Sequence, residues 1–250
     1  MTNIIKQLRI GVAALALVAP LSTASFTTAS AQSITMEELG PMIRQYILDN
    51  PGIILEAYTK HQQEEDARRA AMAAEAVKSH GEDIYNSPTT PTMGNAEGDV
   101  AVVEFFDYNC GYCKRAATGL FSMIEKDAGI KLVLKELPIL GPSSRLAAEA
   151  ALAAQMQGKY DPFHREMIQF KGGISQRAID AVARKVGMDV DQMKLDMKSD
   201  YVTQELEAVA QLASVLGVNG TPAFIVNDQV IPGAVDPSTL QEMVNAARNN

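Results

Sequence analysis

The sequence predicts an α/β domain with a helical insertion, preceded by an α-helical N-terminal extension. Short apolar runs rich in β-branched and aromatic residues at 100–106 and 131–137 are typical of buried strands, and they flank a stretch with helical spacing. Residues 143–216 form a long block of helical periodicity, and residues 32–86 have a helical pattern throughout. Strands that alternate with helices in this way indicate an α/β fold.

The first 31 residues have the layout of a secretory signal peptide. Lys6 and Arg9 give a positively charged start, residues 10–18 form a short apolar run, and an Ala-Ser-Ala cleavage site ends at Ala31. The apolar run is shorter than the roughly 20 residues that a membrane-spanning helix needs. We therefore expect cleavage after Ala31 and export to the periplasm, where thiols can be oxidised.

The extension, residues 32–86, is predicted to form two helices that are separated at Pro51. Thr35 is a suitable N-cap for the first helix. Two interpretations stay open: the extension packs on the main domain, or it is an oligomerisation stalk whose apolar residues pack between chains. Those apolar residues are Ile43, Ile47, Ile53, Ile54 and Tyr58.

A linker is predicted at 87–99, where Pro, Gly, Ser and Thr are frequent, and the main domain at 100–250. The helical insert is expected at 141–199, with Ser143 or Ser144 as the cap of its first helix. The other elements are expected to be strand 100–106, helix 111–127, strand 131–137, strands 223–226 and 229–231 joined by a turn at Asn227-Asp228, and a C-terminal helix.

Charge and cysteine content exclude several classes of function. The 250 residues include 22 basic and 30 acidic side chains, a formal charge of −8. We therefore expect no nucleic-acid binding, since that needs a basic face. Two cysteines are too few for a disulfide scaffold, and three scattered histidines argue against a structural zinc domain. Two cysteines are enough for one redox centre or half of a metal site.

The run Cys110–Cys113, CGYC, directly follows the first predicted strand and begins a helix. At this position Cys110 lies where the first helical N–H groups and the positive end of the helix dipole stabilise a thiolate. Its pKa should fall, and Lys114 and Arg115 add positive charge, so we expect Cys110 to be the nucleophile. Cys113, one turn into the helix, can then attack a mixed disulfide at Cys110.

Three other uses of the pair compete with this redox interpretation. Two thiolates can hold Cu(I) or Zn(II), but His61, His80 and His164 have no spacing that pairs them with the cysteines. A static disulfide that closes so small a loop would add little stability. Two unreacted buried thiols are disfavoured in an oxidising compartment. We therefore expect exchange chemistry and no metal.

These motifs resemble the DsbA family of thioredoxin-fold thiol:disulfide oxidoreductases. The resemblance rests on the run EFFDYNCGYCKR from Glu104 to Arg115, on the helical insert, and on the run GTPAF at 220–224, and it covers 88–250. It implies a thioredoxin-like fold with a helical insertion. It also implies disulfide exchange in exported proteins without a bound organic cofactor.

The resemblance also implies roles for residues outside the cysteine pair. Thr221 and Pro222 match the cis-proline loop with which the family contacts bound peptides. Tyr112, together with Tyr108, is expected to add an apolar surround for the substrate. Phe105 and Phe106 are expected in the core.

Glu104 is a carboxylate among Val and Phe on a predicted buried strand, which is costly unless the group is used or paired. In relatives, an acid at the matching position lies beneath the second cysteine and helps to move its proton. We therefore expect Glu104 to serve Cys113 in this way. The alternative is that Glu104 points to solvent or pairs with Lys135.

The helical extension narrows the resemblance to the suppressor-of-copper-sensitivity C proteins. Characterised members include trimers, held by their N-terminal helices, that act as disulfide isomerases or reductants, whereas others are monomers. The resemblance thus implies an isomerase or reductase and a homotrimer through the extension. Gly111-Tyr112 replaces a sequence that contains proline in some relatives. Because this dipeptide influences redox poise, the direction of the reaction stays open.

The implied substrates are unfolded or misfolded exported proteins, and a membrane thiol:disulfide electron partner is expected to reset the dithiol. Two alternatives are kept. One is a monomeric DsbA-like oxidase. The other is a copper-binding or chaperone-like protein that uses the thiols of Cys110 and Cys113 as ligands.

Overall fold

The structure is a computed structural model that describes residues 35–249. The predicted signal peptide, with cleavage after Ala31, lies outside these residues. The chain divides into two compact units, one ending at Glu56 and one beginning at Ala57. Across the described residues, no helix combines the length and apolar character needed to cross a bilayer.

The bounds of the elements are as follows. The helices are α1 (Met36–Asp49), α2 (Gly52–Ser79), α3 (Gly81–Tyr85), α4 (Gly111–Lys126), α5 (Pro142–Met156), α6 (Tyr160–Ile168), α7 (Gln176–Lys185), α8 (Val190–Asp196), α9 (Asp200–Val215) and α10 (Pro237–Arg248). The strands are β1 (Thr92–Gly94), β2 (Val100–Phe106), β3 (Ile130–Glu136), β4 (Ala223–Val226) and β5 (Gln229–Pro232).

The first unit contains α1 and the start of α2. Thr35 caps α1, as the sequence predicts: its side chain accepts a hydrogen bond from the Glu38 N–H at 3.3 Å, and the Glu38 carboxylate accepts one from the Thr35 N–H at 3.1 Å. The helix ends at Asp49, with Asn50 as its C-cap just before Pro51. No residue of α1 is buried, so its apolar side chains face solvent in a single chain.

The second unit is built on a five-stranded sheet in the order β1-β3-β2-β4-β5. Strands β2 and β3 are parallel and are joined through α4, while the other three pairs are antiparallel. The predicted thioredoxin-like α/β architecture is therefore confirmed. Asn227, with φ of 57°, makes the predicted turn between β4 and β5.

Strand β1 was not expected, because the sequence indicates a linker over 87–99. It pairs antiparallel with β3, and Met93 is buried. Only three residues long and set among Pro and Gly, it has too few alternating positions to produce a strand pattern. The segment thus includes an edge strand of the sheet.

The two faces of the sheet are covered by different helices. On the front face, Val102, Glu104 and Phe106 point toward α4, α10 and the helical insert. On the rear face, Val103 and Phe105 pack with the end of α2, with α3 and with α9. Burial on both faces explains why β2 is a continuous apolar run with one carboxylate in it.

Helices α5 to α8 form the insert, and its first helix does not begin as expected. Gly141, with φ of 127°, precedes Pro142 in the first turn, and no side chain caps the helix. Ser143 and Ser144 lie inside this turn, so their predicted role as caps is wrong. Their hydroxyls instead each accept a hydrogen bond from the Asn109 amide at 2.9 Å.

A buried polar cluster ties the end of the extension to the rear of the sheet. Lys135 Nζ donates to the Asp83 carbonyl at 2.6 Å and to Thr90 Oγ1 at 2.7 Å. Thr90 Oγ1 donates in turn to Glu205 at 2.7 Å. Burial lowers the pKa of Lys135 to about 8, although the charges of Glu205 and Asp83 oppose the shift. The cluster joins α3, the segment before β1, and α9 to β3.

We predict that Ile84→Ala destabilises the protein by about 2–5 kcal/mol, because Ile84 is fully buried in the rear core and alanine leaves a cavity. Urea unfolding of the mature chain measures the change in the free energy of unfolding. Leu195→Ala, at an exposed site on α8, is the control and should stay within about 0.5 kcal/mol of wild type. Equal, small effects of both variants would show that α3 does not pack on the sheet.

Candidate active site

The cysteine motif lies where the sequence places it, between β2 and α4. Cys110 is the N-cap of α4, and its sulfur accepts a hydrogen bond from the Cys113 N–H, with 3.4 Å between the two atoms. The backbone at Cys110 is extended, so its side chain faces the unpaired N–H groups of the first helical turn. This is the geometry that stabilises a negative charge on Cys110.

Cys110 has an environment that favours the thiolate. Burial opposes ionisation, but hydrogen bonds from the Thr221 side chain and from the first turn of α4, at Cys113 and Tyr112, outweigh it and lower the pKa of Cys110. In its protonated form, the Cys110 thiol donates to the Thr221 carbonyl at 3.2 Å. Only 5% of the Cys110 surface is exposed. A substrate must therefore bring its sulfur to this small exposed part of the residue.

The predicted cis-proline loop is present beside the nucleophile. The peptide bond between Thr221 and Pro222 is cis. It immediately precedes β4, which pairs with β2, and this pairing brings Thr221 to Cys110 although 111 positions separate them in the sequence. The Thr221 backbone is therefore placed where it can contact the chain that carries a substrate sulfur.

Cys113 contrasts with Cys110. It is fully buried in the front core, and burial raises its pKa strongly, with a further contribution from the charge of Glu104. Both cysteines are free thiols. The site thus joins one sulfur that ionises readily to one that holds its proton until a base removes it.

Glu104 lies on the front face of β2, beneath the cysteines, with 2% of its surface exposed. Its Oε1 atom is buried and has no hydrogen-bond partner within the described chain. Burial raises the pKa of Glu104 well above its usual value, and the charge of Cys110 adds to the shift. A carboxyl with a raised pKa is a stronger base than an ordinary carboxylate, so its ionised form can take a proton from a thiol and its protonated form can return it.

The alternative partner of Glu104 is excluded by the sheet. Lys135 is paired with Phe105 in the β2–β3 register, so it points to the rear face, whereas Glu104 points to the front. The Lys135 ammonium is bound to Asp83 and Thr90 instead. Glu104 is also buried, so it does not point to solvent.

Tyr108 does not line a substrate surface, so that expectation is wrong. It is 1% exposed, and its hydroxyl donates to Glu136 Oε1 at 3.1 Å and lies 2.9 Å from His164 Nδ1. Tyr160 also donates to Glu136 Oε1, at 2.8 Å. The expected core positions of Phe105 and Phe106 agree with their full burial.

The sequence did not indicate this buried polar group, because its members come from β3, α6 and the turn before α4. His164 stacks on Tyr160 with 5.5 Å between ring centroids, and burial lowers its pKa to about 3. His164 lies in a helical block and Glu136 in a strand, and neither sequence pattern indicates that the two side chains share Tyr108 as a hydrogen-bond partner. Together they anchor the turn before Cys110 to the insert.

Tyr112 lies at the rim of the site, with 58% of its surface exposed. The Arg115 guanidinium lies 4.2 Å from the centre of its ring, a cation–π contact. Both residues border a groove of about 420 Å³ that Val235 and Pro237 also line. Lys114, expected to add positive charge near the nucleophile, binds the Phe170 carbonyl at 2.7 Å.

The described residues offer the cysteines no further metal ligands. In the part of the chain that the structure describes, no group of three or more His, Cys, Asp and Glu side chains could hold a metal ion. The polar groups nearest the two sulfurs are the Thr221 carbonyl and the Cys113 N–H, which bind Cys110, and the buried carboxyl of Glu104. The arrangement is suited to sulfur exchange.

Known proteins of similar sequence and fold include thioredoxin-like oxidoreductases. A family model described as a DSBA-like thioredoxin domain matches residues 101–245. A thioredoxin-like oxidoreductase from Silicibacter pomeroyi is 44% identical and has a TM-score of 0.66, with 68% of this chain and 98% of that chain covered. A linker-deletion mutant of ScsC from Proteus mirabilis is 25% identical, with a TM-score of 0.66 and coverage of 88% and 99%.

Another similar protein is much longer than this chain. The Na⁺/H⁺ antiporter NhaA of Herminiimonas arsenicoxydans is 27% identical over 171 residues, which are 66% of this chain and 27% of the antiporter. The chain spans about a quarter of the length of the antiporter relatives that it matches. The similarity to the DsbA family and to ScsC that the motifs indicate is confirmed. This chain belongs to the family of DSBA-like thioredoxin domains.

Proposed function

We propose that this protein is a periplasmic thiol:disulfide oxidoreductase that acts on unfolded or misfolded exported proteins, as a disulfide isomerase or reductase. The observation that carries the proposal is the contrast between the two sulfurs. Hydrogen bonds lower the pKa of Cys110, while burial raises that of Cys113. A signal-like N-terminus supports the location.

In the proposed reaction, the Cys110 thiolate attacks a substrate disulfide and forms a mixed disulfide, releasing one substrate sulfur as a thiolate. The mixed disulfide can then be resolved in two ways. A second substrate thiolate attacks it and leaves the substrate with a rearranged disulfide, or Cys113 attacks it and leaves a reduced substrate. For the attack by Cys113, its thiol must lose its proton, and we propose that the ionised form of Glu104 takes it.

The substrate chain docks beside Cys110. The Thr221 carbonyl, 3.2 Å from the sulfur, belongs to a backbone segment that an extended peptide can pair with. Tyr112, exposed at the rim, supplies apolar surface for the same chain. The chemistry uses only these side chains and backbone groups, and a membrane thiol:disulfide partner would return the dithiol to its working state.

The extension supports an oligomer, which an isomerase needs in order to surround one substrate with several sites. Helix α1 exposes a large apolar surface, including Met42, Ile43, Tyr46 and Leu48, each about half or more exposed. An isolated helix of 14 residues is marginal in water without packing. The proposed occupant of this surface is the same helix of other copies, as in a homotrimer.

The oligomer is tested by light scattering on the mature chain. We expect an assembly larger than a monomer, and we expect Ile43→Glu combined with Ile54→Glu to give monomers, because charges replace exposed apolar contacts. The monomers should lose reactivation of scrambled ribonuclease and keep reduction of insulin. Leu195→Glu, at an exposed apolar site on α8, is the control and should change neither result.

A monomeric wild-type chain would contradict the isomerase and favour a DsbA-like oxidase. Stoichiometric copper bound by the reduced protein without any exchange activity would contradict the oxidoreductase itself. The reduction potential of the Cys110/Cys113 pair then fixes the direction of electron flow.

The role of Glu104 is tested by Glu104→Gln. We expect release from the mixed disulfide to slow by about a hundredfold, because glutamine cannot take the proton of Cys113.

The folded state holds the proton of Glu104 more tightly than the unfolded state. That contribution to stability is complete below the ordinary pKa of the carboxyl and is lost as pH rises through the raised pKa.

Urea unfolding across a pH series should therefore show Glu104→Gln gaining stability relative to wild type as pH rises above 4.5, the ordinary pKa. Glu97→Gln, at an exposed glutamate, should give a curve parallel to wild type. A Glu104→Gln curve that is also parallel would show that Glu104 has an ordinary pKa and does not serve as the buried base.

A further inference from the structure

Arg115 is an exposed cation beside the cysteine motif that the reaction above does not use. Within the described residues, no acidic side chain forms an ion pair with it, whereas Arg145, Arg165 and Arg248 are each paired. The guanidinium lies against the ring of Tyr112, with 4.2 Å from its carbon to the centre of the ring. This contact holds the guanidinium at the rim of the site and leaves its charge without a counter-ion.

Helical geometry directs the Arg115 side chain back toward the cysteines. Side chains of an α-helix tilt toward its N-terminus and meet those three and four positions earlier, so Arg115 reaches back over Tyr112 and Gly111. One of its guanidinium nitrogens, Nη1, lies 3.9 Å from the point that a Cβ atom at Gly111 would occupy. The positive charge therefore lies beside the dipeptide that separates Cys110 from Cys113.

The same guanidinium lines the groove of about 420 Å³ at the rim of the site. One wall of this groove is the start of α4, and the other is the segment 234–237, which joins β5 to α10. The second wall is tied to the cis-proline loop, because the Gly233 N–H donates to the Pro222 carbonyl at 2.9 Å. The walls thus continue from the two groups that hold the substrate in the proposed reaction, the start of α4 and the cis-proline loop.

The two walls of the groove carry opposite charges, Arg115 on one and Asp236 on the other. In the part of the chain that the structure describes, no ion pair joins them. Asp236 is the N-cap residue of α10, whereas the guanidinium lies against the dipeptide between the cysteines. The charge beside the cysteine motif is therefore the positive one.

We propose that Arg115 is a specificity-determining residue that favours substrate disulfides with an acidic side chain next to the reactive cysteine. The inference deepens the proposed function and rests on it, since it names a feature of the substrate of the same site. A guanidinium binds a carboxylate through parallel N–H donors, and Arg115 has no ion pair that a substrate would have to break. The preference concerns the chain that carries the substrate sulfur. It does not act through the ionisation of Cys110, whose stabilising hydrogen bonds come from Thr221 and the first turn of α4.

The test uses three short peptides that differ only in the residues on both sides of a single cysteine, which are Glu, Gln or Lys. The cysteine of each peptide is supplied as its mixed disulfide with 2-thiopyridine. The Cys110 thiolate of the reduced mature protein attacks the peptide sulfur, a bond forms between these two sulfurs, and the electron pair of the broken bond leaves on the thiopyridine. Release of 2-thiopyridone is followed by absorbance in stopped flow. Each rate is divided by the rate of the same peptide with 2-mercaptoethanol, which removes the intrinsic reactivity of the peptide.

We expect the wild-type protein to react fastest with the Glu peptide and slowest with the Lys peptide. In Arg115→Gln the rate with the Glu peptide should fall about threefold relative to the Gln peptide, which is within the range of an exposed ion pair. Arg115→Lys keeps the charge without the planar donors, so it should retain part of the preference. Added salt should reduce the wild-type preference, because salt screens exposed charges.

Two variants control for effects of charge elsewhere. Arg177→Gln removes the same charge from an exposed arginine on α7, in the insert, and should leave the three rates in their wild-type ratios. Asp236→Asn removes the opposite charge from the same groove and should not weaken the preference for the Glu peptide.

The outcomes separate the proposal from the proposed function. If Arg115→Gln slows all three peptides by one common factor, Arg115 acts on the Cys110 thiolate and the proposal is wrong. The proposal is equally wrong if this variant keeps the wild-type ratios. If the wild-type protein reacts with none of the peptides faster than 2-mercaptoethanol does, the proposed exchange function fails instead.

Discussion

The structure depends on a negative charge being stable on one sulfur and unstable on its neighbour, although the two sulfurs lie one helical turn apart. The unpaired N–H groups at the start of α4 and the Thr221 side chain compensate Cys110 for its burial, so that its pKa falls. Cys113 faces the core and Glu104, so that its pKa rises. This difference sets the order of the proposed reaction, because the ready thiolate attacks and the protonated thiol waits for a base.

The rest of the domain holds the two cysteines in these different environments. Three consecutive side chains before Cys110 bind distant parts of the chain: Asp107 binds the loop after β3, Tyr108 binds Glu136 and His164, and Asn109 binds the start of α5. The helical insert therefore fixes the turn that presents the nucleophile. On the opposite face, Lys135 and Glu205 fix α3 and the segment before β1, so both sides of the central strands are anchored.

Local sequence patterns made much of the candidate active site predictable. The apolar run of β2 and the cysteine spacing that follows it locate the nucleophile, and Thr221-Pro222 before β4 marks the loop that reaches it. Contacts between distant segments left no comparable signal. Strand β1 is three residues long in a Pro- and Gly-rich stretch, and Tyr108 was expected at the surface because nothing near it in sequence reveals Glu136 and His164 as partners. The buried carboxylate of Asp107 was missed for the same reason, since one of its two donors, Leu140, lies 33 positions away.

The most direct test of the central claim is the rate of alkylation of Cys110 as a function of pH, measured on reduced protein that carries Cys113→Ser so that one thiol reacts. We expect a midpoint below 9.0, the ordinary pKa of the thiol, and a reaction at neutral pH that is faster than that of free cysteine. A midpoint at or above that value, with a rate no faster than that of free cysteine, would show that the Cys110 thiolate is not stabilised.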